Sequence, residues 1–462
     1  VMMLNACGGS SFDIEPSAYL SVSPYHNSYY IAEDGVYGAG RGEYCEVVLD
    51  SPVCRNIYST FVRTADTGVT VKQIANGNFH TVLLLEDGTV RLAGERTRGQ
   101  LGINSGADNV SVWSAPVFDG AAPSSIKAVA AGHYNTILLD NDGQLWGTGY
   151  YSNGQLGMPY SLGSTIYINT FRRLDTPPGV KFRSISMGYD QLLAIDTNGG
   201  IWGTGANRSN SVTSGQLGAG ILKDVNNLDT DAFQFIKISS KANYIKVSGG
   251  GAGAGNGTDA FNGPRHSLAL DSDGYIWATG SNNNGQLGTG DNVMRSTFTR
   301  LEKPRGVSKF VDIAAGGRHS AALDSDGNVW VSGDNSNYAL ALGEVLQVNR
   351  FTKVSLPAGV SYMTEVSAGA MHTMARDNNG NIWTAGSNQY GQLGLGFAIS
   401  TNAFAKTFSR LDGVAVQSAP QVALSGMVNP VLPFNAPASG VIRIGFIGYS
   451  LTSVSYSHLT LP

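Results

Sequence analysis

Val311-Asp312-Ile313-Ala314-Ala315-Gly316-Gly317-Arg318-His319-Ser320-Ala321-Ala322-Leu323-Asp324-Ser325-Asp326-Gly327-Asn328-Val329-Trp330-Val331-Ser332-Gly333 reads as a strand of small and apolar residues, an Asp-Gly turn and a second strand ending on glycine. The same phrase recurs around Gly35, Gly88, Gly143, Gly199, Gly274, Gly327 and Gly380, at intervals of 53, 55, 56, 75, 53 and 53 residues, which makes seven units. Recurrence at a fixed period marks a repeat architecture. Asp-Gly and Asn-Gly favour the primed turns whose twist suits a hairpin, so each unit is predicted to be β. Three residues after the turn glycine stands Trp146, Trp202, Trp277, Trp330 or Trp383, five of the chain's six tryptophans. Tyr37 is a near equivalent and Arg91 the exception, and such regular placement predicts packing between units.

Most units continue into Gly-Gln-Leu-Gly, at Gly99 to Gly102, Gly154 to Gly157, Gly215 to Gly218, Gly285 to Gly288 and Gly391 to Gly394. The phrase reads Tyr338-Ala339-Leu340-Ala341 in the sixth unit and is taken as Gly42-Glu43-Tyr44-Cys45 in the first. No stretch sustains a 3.6-residue apolar period, which argues against a helical solenoid. One sheet of about 50 residues cannot bury both of its faces, whereas sheets arranged radially cover one another and leave only short edges. These phrases resemble the regulator of chromosome condensation repeat family across residues 18–411. The resemblance implies an all-β, seven-bladed β-propeller of four-stranded antiparallel blades. It also implies that terminal strands share a blade, for which Ala18–Ser23 and Thr407–Leu411 are the candidates.

Composition fits that expectation and narrows the function. Sixty glycines in 462 residues are about twice ordinary usage, while charged residues at 14% fall below the usual roughly 25%. A net charge of −4 without a basic block excludes nucleic acid as the expected partner. No run reaches the roughly 18 apolar residues of a membrane-spanning helix. Residues 412–453 are expected to be a degenerate repeat or part of a following domain. Val454 to Pro462 resembles a translated adapter read-through and is set aside as non-native.

Residues 1–17 are read as a signal remnant and flexible tether. Leu4, Ala6, Cys7 and the small residues Gly8 to Ser11 resemble the end of a bacterial lipoprotein signal peptide, in which the cysteine thiol takes the lipid. That leaves Cys45 and Cys54, nine residues apart, as a disulfide candidate in an oxidising compartment, or as two separately buried thiols.

Side chains that suggest chemistry carry simpler readings. His80, His266, His319 and His372 share one repeat position, held elsewhere by Asn27, Asn135 and Gln191. Equivalent residues of different blades do not converge to the roughly 2 Å that a metal requires, so hydrogen bonds between blades are expected and no metal site. The runs Asp140 to Gly143, Asp271 to Gly274 and Asp324 to Gly327 lack the remaining ligands and flanking helices of a calcium loop and read as hairpins. The glycine-rich run Gly249 to Gly255 does not lead from a strand into a helix, as a phosphate loop would, and is read as a rim loop. No nucleophile elbow or metalloprotease motif occurs, so no catalytic residue and no cofactor is assigned. Trp113, Tyr150, Tyr151, Tyr160 and Tyr167 lie between the phrases, and aromatic anchors serve as interface hot spots, so these five are the candidate partner contacts.

The expected protein is therefore a monomeric, non-catalytic propeller that binds a protein through rim loops. It is expected at a bacterial cell envelope, periplasmic or surface-exposed, held by its N-terminal lipid alone. An inhibitor of a particular extracellular enzyme, or a glycan-binding or glycan-cleaving propeller, are the alternatives.

Overall fold

The computed structural model describes residues 20–411, apart from 24–25, 33, 50–53, 55–56, 105, 107, 159–165, 210–211, 214, 223–229, 240, 242, 252–264 and 397–403. Within that range the chain forms seven antiparallel four-stranded sheets, each from one continuous repeat. The first blade comprises Leu20–Val22, Asn27–Ala32, Gly35–Arg41 and Ile57–Arg63, and the second Val71–Asn76, His80–Leu85, Val90–Gly94 and Val110–Ser114. The third has Ile126–Ala131, Asn135–Asp140, Leu145–Tyr150 and Tyr167–Arg173, and the fourth Phe182–Met187, Gln191–Asp196, Ile201–Gly205 and Ala232–Ser239. A two-stranded hairpin, Arg208–Ser209 with Val212–Thr213, is inserted before the last strand of the fourth. The fifth has Tyr244–Gly249, His266–Asp271, Ile276–Gly280 and Arg295–Arg300, and the sixth Phe310–Ala315, His319–Asp324, Val329–Asp334 and Gln347–Lys353. Met363–Ala368, His372–Asp377, Ile382–Ser387 and Phe404–Arg410 make the seventh. No helix long and apolar enough to cross a membrane occurs among the described residues.

The first strand of every blade neighbours the first strand of the next, and Leu20–Val22 lies beside both Val71–Asn76 and Met363–Ala368, so the ring closes. These seven innermost strands surround a central channel of about 550 Å³. Closure departs from the expectation that terminal strands share a blade. Leu20–Val22 pairs with its own repeat, Leu20 opposite Tyr30, and Phe404–Arg410 completes the seventh blade against Ile382–Ser387. Each repeat supplies a complete blade, so the seam is not a shared sheet; it is joined by side chains and by one backbone bridge, Thr60 opposite Leu395, with the Gly396 N–H donating to the Ser59 carbonyl at 2.9 Å.

The hairpins also differ from the primed turns expected of Asp-Gly. In the third blade the Asp140 N–H donates to the Gln144 carbonyl and the Gly143 N–H to the Asp140 carbonyl, enclosing three loop residues. Only Gly143 has positive φ, at 78°, whereas a type I′ turn needs two such residues. The turn is therefore type I followed by a left-handed glycine, and Gly88, Gly199, Gly274, Gly327 and Gly380 share that φ to within a few degrees.

The apolar core is divided into the spaces between blades. One cluster joins Leu268, Ile276 and Leu287 of the fifth blade to Phe310, Ile313 and Trp330 of the sixth. Another joins Leu20, Tyr30 and Tyr37 of the first blade to Met374 and Ile382 of the seventh, filling the seam. Each buried Leu or Ile contributes about 1.5–3 kcal/mol, and no blade could retain this burial alone.

Candidate functional site

Most recurrent polar residues prove to be architectural. The first Asp of the turn phrase accepts the indole N–H of the tryptophan six residues later: Trp146 to Asp140 at 2.9 Å, Trp202 to Asp196 at 2.8 Å, Trp277 to Asp271 at 2.9 Å, Trp330 to Asp324 at 2.8 Å and Trp383 to Asp377 at 3.0 Å. The other carboxylate oxygen accepts turn N–H groups, as Asp324 does from Asp326 and Asn328 at 2.9 Å. Burial opposes ionisation of Asp324 and Asp377, but these donors hold both carboxyls below their ordinary range. The indole joins the core it shares with the preceding blade, as Trp330 does with Leu268 and Ile276, while standing edge-on to Phe310 of its own blade. These aspartates, absent from the expected site residues, are thus fully employed. Among the described residues no three potential ligands group around a metal position.

The histidines form rungs from one blade to the next. Nε2 of His80 meets Thr136 Oγ1 at 2.9 Å, His266 meets Ser320 at 2.9 Å, His319 meets Thr373 at 2.9 Å and His372 meets Ser28 at 2.8 Å. Thr136, Ser320 and Thr373 each donate their own proton to a backbone carbonyl, of Gln100, Gln286 and Ala339. They must therefore accept from the histidine, which sets those imidazoles as neutral Nε2–H tautomers. Burial pushes His80, His266 and His372 down to about 3 and His319 to about 4. Gln191 also reaches the next blade, at the Gly250 carbonyl, whereas Asn27 and Asn135 turn back to carbonyls of their own sheets, at Arg41 and Tyr150. A buried ion pair, Arg265 to Asp190 at 2.8 Å, adds a further tie between the fifth and fourth blades.

The first blade's second phrase is Cys45-Glu46-Val47-Val48, three residues later than the sequence pattern suggested. Cys45 has φ 64°, matching Gly99 at 74°. Glu46 accepts the N–H of Tyr44 as Gln100 accepts that of Arg98, and its carbonyl accepts Thr81 as the Gln100 carbonyl accepts Thr136. Backbone geometry shows this register where substituted side chains conceal it. Cys45 and Cys54 are joined by a disulfide, with Cα atoms 4.8 Å apart.

The aromatic candidates are occupied within the chain. Trp113 donates to the Ala65 carbonyl at 3.0 Å and packs on the core between the first two blades. Tyr150 lies opposite Tyr167 in the third blade, beneath the Arg98 guanidinium and edge-on to Tyr134. Tyr151 packs against the core between the third and fourth blades. Tyr160, Cys7 and residues 412–462 lie outside the described residues, as do 252–264 of the glycine-rich segment. Its start is built into the ring: Gly250 and Gly251 donate to the carbonyls of His266 and Gly316.

An exposed apolar surface occurs elsewhere on the rim, organised by a repeated asparagine two residues beyond the third strand's glycine. Buried Asn282 donates to Thr289 and to the carbonyls of Asp291 and Val293, and its own carbonyl accepts Leu287 N–H at 2.9 Å. Asn335 does the same work for Gly343, Val345 and Leu340. Asn207 holds Gly220 in the fourth blade. The tips so fixed present Val293 at 61% exposure, Met294 at 38%, Val345 at 45%, Leu346 at 72% and Ile221 at 55%. Asn349, beside the sixth-blade tip, approaches Asn292 of the fifth, and Thr289 bridges to Arg350, which sets these two tips side by side. The repeated asparagine was readable in Thr-Gly-Ser-Asn282, Ser-Gly-Asp-Asn335 and Ala-Gly-Ser-Asn388.

Comparison with known proteins places these repeats. The regulator of chromosome condensation (RCC1) repeat matches residues 273–323 and 326–376, and a second description of it matches 126–155, 310–339 and 363–392. The chain is 27% identical to the ultraviolet-B receptor UVR8 of Arabidopsis thaliana over 329 residues, 70% of this chain and 66% of that one. It is 36% identical to the RCC2 homolog of Xenopus laevis over 133 residues, 28% of this chain and 25% of that one. The chain thus spans 66% of one of these relatives and 25% of the other. Among solved structures, yeast RCC1 (Prp20) bound to Kap60 superimposes with TM-score 0.70 at 19% identity, covering 90% of both chains, a likeness of fold.

Proposed function

We propose that this chain, a seven-bladed propeller of regulator of chromosome condensation repeats, works by binding a protein partner along the rim of its fourth, fifth and sixth blades, without chemistry of its own. The carrying observation is the apolar surface of Ile221, Val293, Met294, Val345 and Leu346, held at fixed geometry by buried asparagines. Large apolar side chains left in water on a pinned loop gain by being covered, and a rigid tip loses little entropy in docking. That the yeast relative was solved bound to Kap60 supports reading such a propeller as a protein-binding body. The recurrent histidines and aspartates hold the blades together, which supports binding over catalysis.

The test is affinity capture from the native envelope with the parent chain and with a Val293→Ser/Leu346→Ser variant. The reading requires a partner that the parent retains and the variant loses at least tenfold. Identical capture by both chains refutes it. Recovery of a single extracellular enzyme that the parent inhibits selects the inhibitor role.

We propose further that Cys7 carries a lipid holding the propeller at a bacterial cell envelope, on the support of Leu4, Ala6 and the small residues that follow. Labelled palmitate incorporated by the parent and not by Cys7→Ala is the expected result.

A further inference from the structure

The central channel carries a second, independent reading. Its innermost strands are bulged at equivalent places. In the third blade Ile126 lies opposite Asp140 and Ala128 opposite Leu139, leaving Lys127 as the extra residue; in the fourth, Phe182 lies opposite Asp196 and Ser184 opposite Ile195, leaving Arg183. Both cations line the channel, with Ser184, Ser186 and Ser248.

These groups are donors with capacity to spare. Lys127 makes no ion pair or hydrogen bond among the described residues. Arg183 donates through Nη2 to the Tyr244 carbonyl, while its Nε is buried without a partner. Ser186 accepts Gly249 N–H and Ser248 accepts Ala315 N–H, both at 3.0 Å, so each hydroxyl still has its proton to give. The lining of the third, fourth and fifth blades includes no carboxylate. The two acidic lining residues belong to the sixth and seventh blades and are engaged there: Asp312 with Lys246 and with Ile313 N–H, Glu365 with Leu20 N–H at 3.0 Å.

We infer that the channel binds a phosphate-bearing small molecule, its phosphate received by Lys127, Arg183 and the serine hydroxyls. Cations and neutral donors on neighbouring strands of one channel suit an anion with several oxygens, and charge-assisted hydrogen bonds are the strong ones. A channel of about 550 Å³ is too large for a lone ion and falls within the roughly 300–1,000 Å³ of small-molecule sites, so an organic remainder has room along the axis.

The test is calorimetric titration of the whole chain with pyrophosphate at low salt, beside citrate and a melting curve for each variant. Pyrophosphate should bind and raise the melting temperature, and Lys127→Met/Arg183→Met should weaken it on the order of a hundredfold, roughly tenfold for each cation removed. Exposed Lys353→Met should leave the affinity unchanged. Absence of pyrophosphate binding, equal binding by the double variant, or citrate bound as tightly as pyrophosphate overturns the inference. Should the double variant not fold, Lys127→Met alone decides, a tenfold loss supporting the site and no loss refuting it.

Discussion

Nε2 of His372 lies 2.8 Å from Oγ of Ser28, joining the seventh blade to the first across 344 residues of sequence. It is the same rung that His80, His266 and His319 make between consecutive blades, used here to close the ring. His372→Ala leaves the Ser28 hydroxyl buried without that partner, which costs about 1–3 kcal/mol in addition to the cavity left behind. His372→Gln should recover part of the loss, because Gln191 at the equivalent place also reaches the next blade. His372→Asn should not, since Asn27 and Asn135 fold back on their own sheets. Urea denaturation of the three variants checks that order.

The buried titratable groups predict a stability optimum near neutral pH. Burial, with smaller contributions from neighbouring charges, holds His26, His80, His133, His266, His319 and His372 below their ordinary range. A depressed folded value means that the unfolded chain binds more protons, so this stability is present above about pH 6.5 and drains away as pH falls toward 3–4. Glu46 and Glu365 act oppositely: burial pushes both up to about 8, so their contribution is whole below about pH 4.5 and is lost as pH rises through 8, and burial pushes Asp190 upward in the same sense against the opposing Arg265. Each unmatched proton is worth about 1.4 kcal/mol per pH unit. Six histidines outweigh three carboxyls below pH 6.5, and the carboxyls act alone above it. Denaturation midpoints should peak between about pH 6.5 and 7, and a steady rise from pH 7 to 9 would contradict this balance.

The blades were legible because their signals are local: the turn glycine, the tryptophan after it and the second phrase lie within one repeat. Partnerships formed in space were not. The spacing of Asp324 and Trp330 was visible, but that they bond each other follows from both flanking one bulged hairpin. Tyr150 and Trp113 are half-buried, and their partners, the Arg98 guanidinium and the Ala65 carbonyl, come from elsewhere in the chain. The first blade's second phrase was placed three residues early because its side chains are substituted, while the left-handed Cys45 and the bonds of Glu46 keep the geometry of the other repeats.

The second blade supplies a natural test of the Asp–Trp pair, because Leu85 and Arg91 occupy its two positions together. Asp324→Ala in the sixth blade orphans a buried indole N–H and two turn amides and should cost about 2–4 kcal/mol. Leu85→Asp alone places an unpaired carboxylate where the side chain is fully buried and should destabilise by more than about 2 kcal/mol. Arg91→Trp supplies its donor, so the double variant should lose less than the two single losses combined, by about 0.5–3 kcal/mol. A double-mutant cycle in urea reads this directly, and strict additivity would deny that the pair forms.

Glu46 stands where other blades carry glutamine, and it is buried with one carboxylate oxygen lacking any partner. Burial is the main cause of its shift to about 8, with its own and Tyr44's backbone N–H groups opposing. In the protonated form the carboxyl presents a hydroxyl donor beside a carbonyl acceptor, as the glutamine amide presents its NH2 beside a carbonyl, so Glu46→Gln should change stability little at pH 5. Above pH 8 the parent must either bury a carboxylate or shift that residue into water. Because the raised folded value makes stability fall with pH between about 4.5 and 8, the variant should gain on the parent by up to roughly 1.4 kcal/mol for each unit in that window. Melting temperatures at pH 5, 7 and 9 decide it. A difference that widens with pH supports a neutral, glutamine-like Glu46, and one that stays constant shows the carboxylate to be solvated and the phrase more open than its backbone bonds imply.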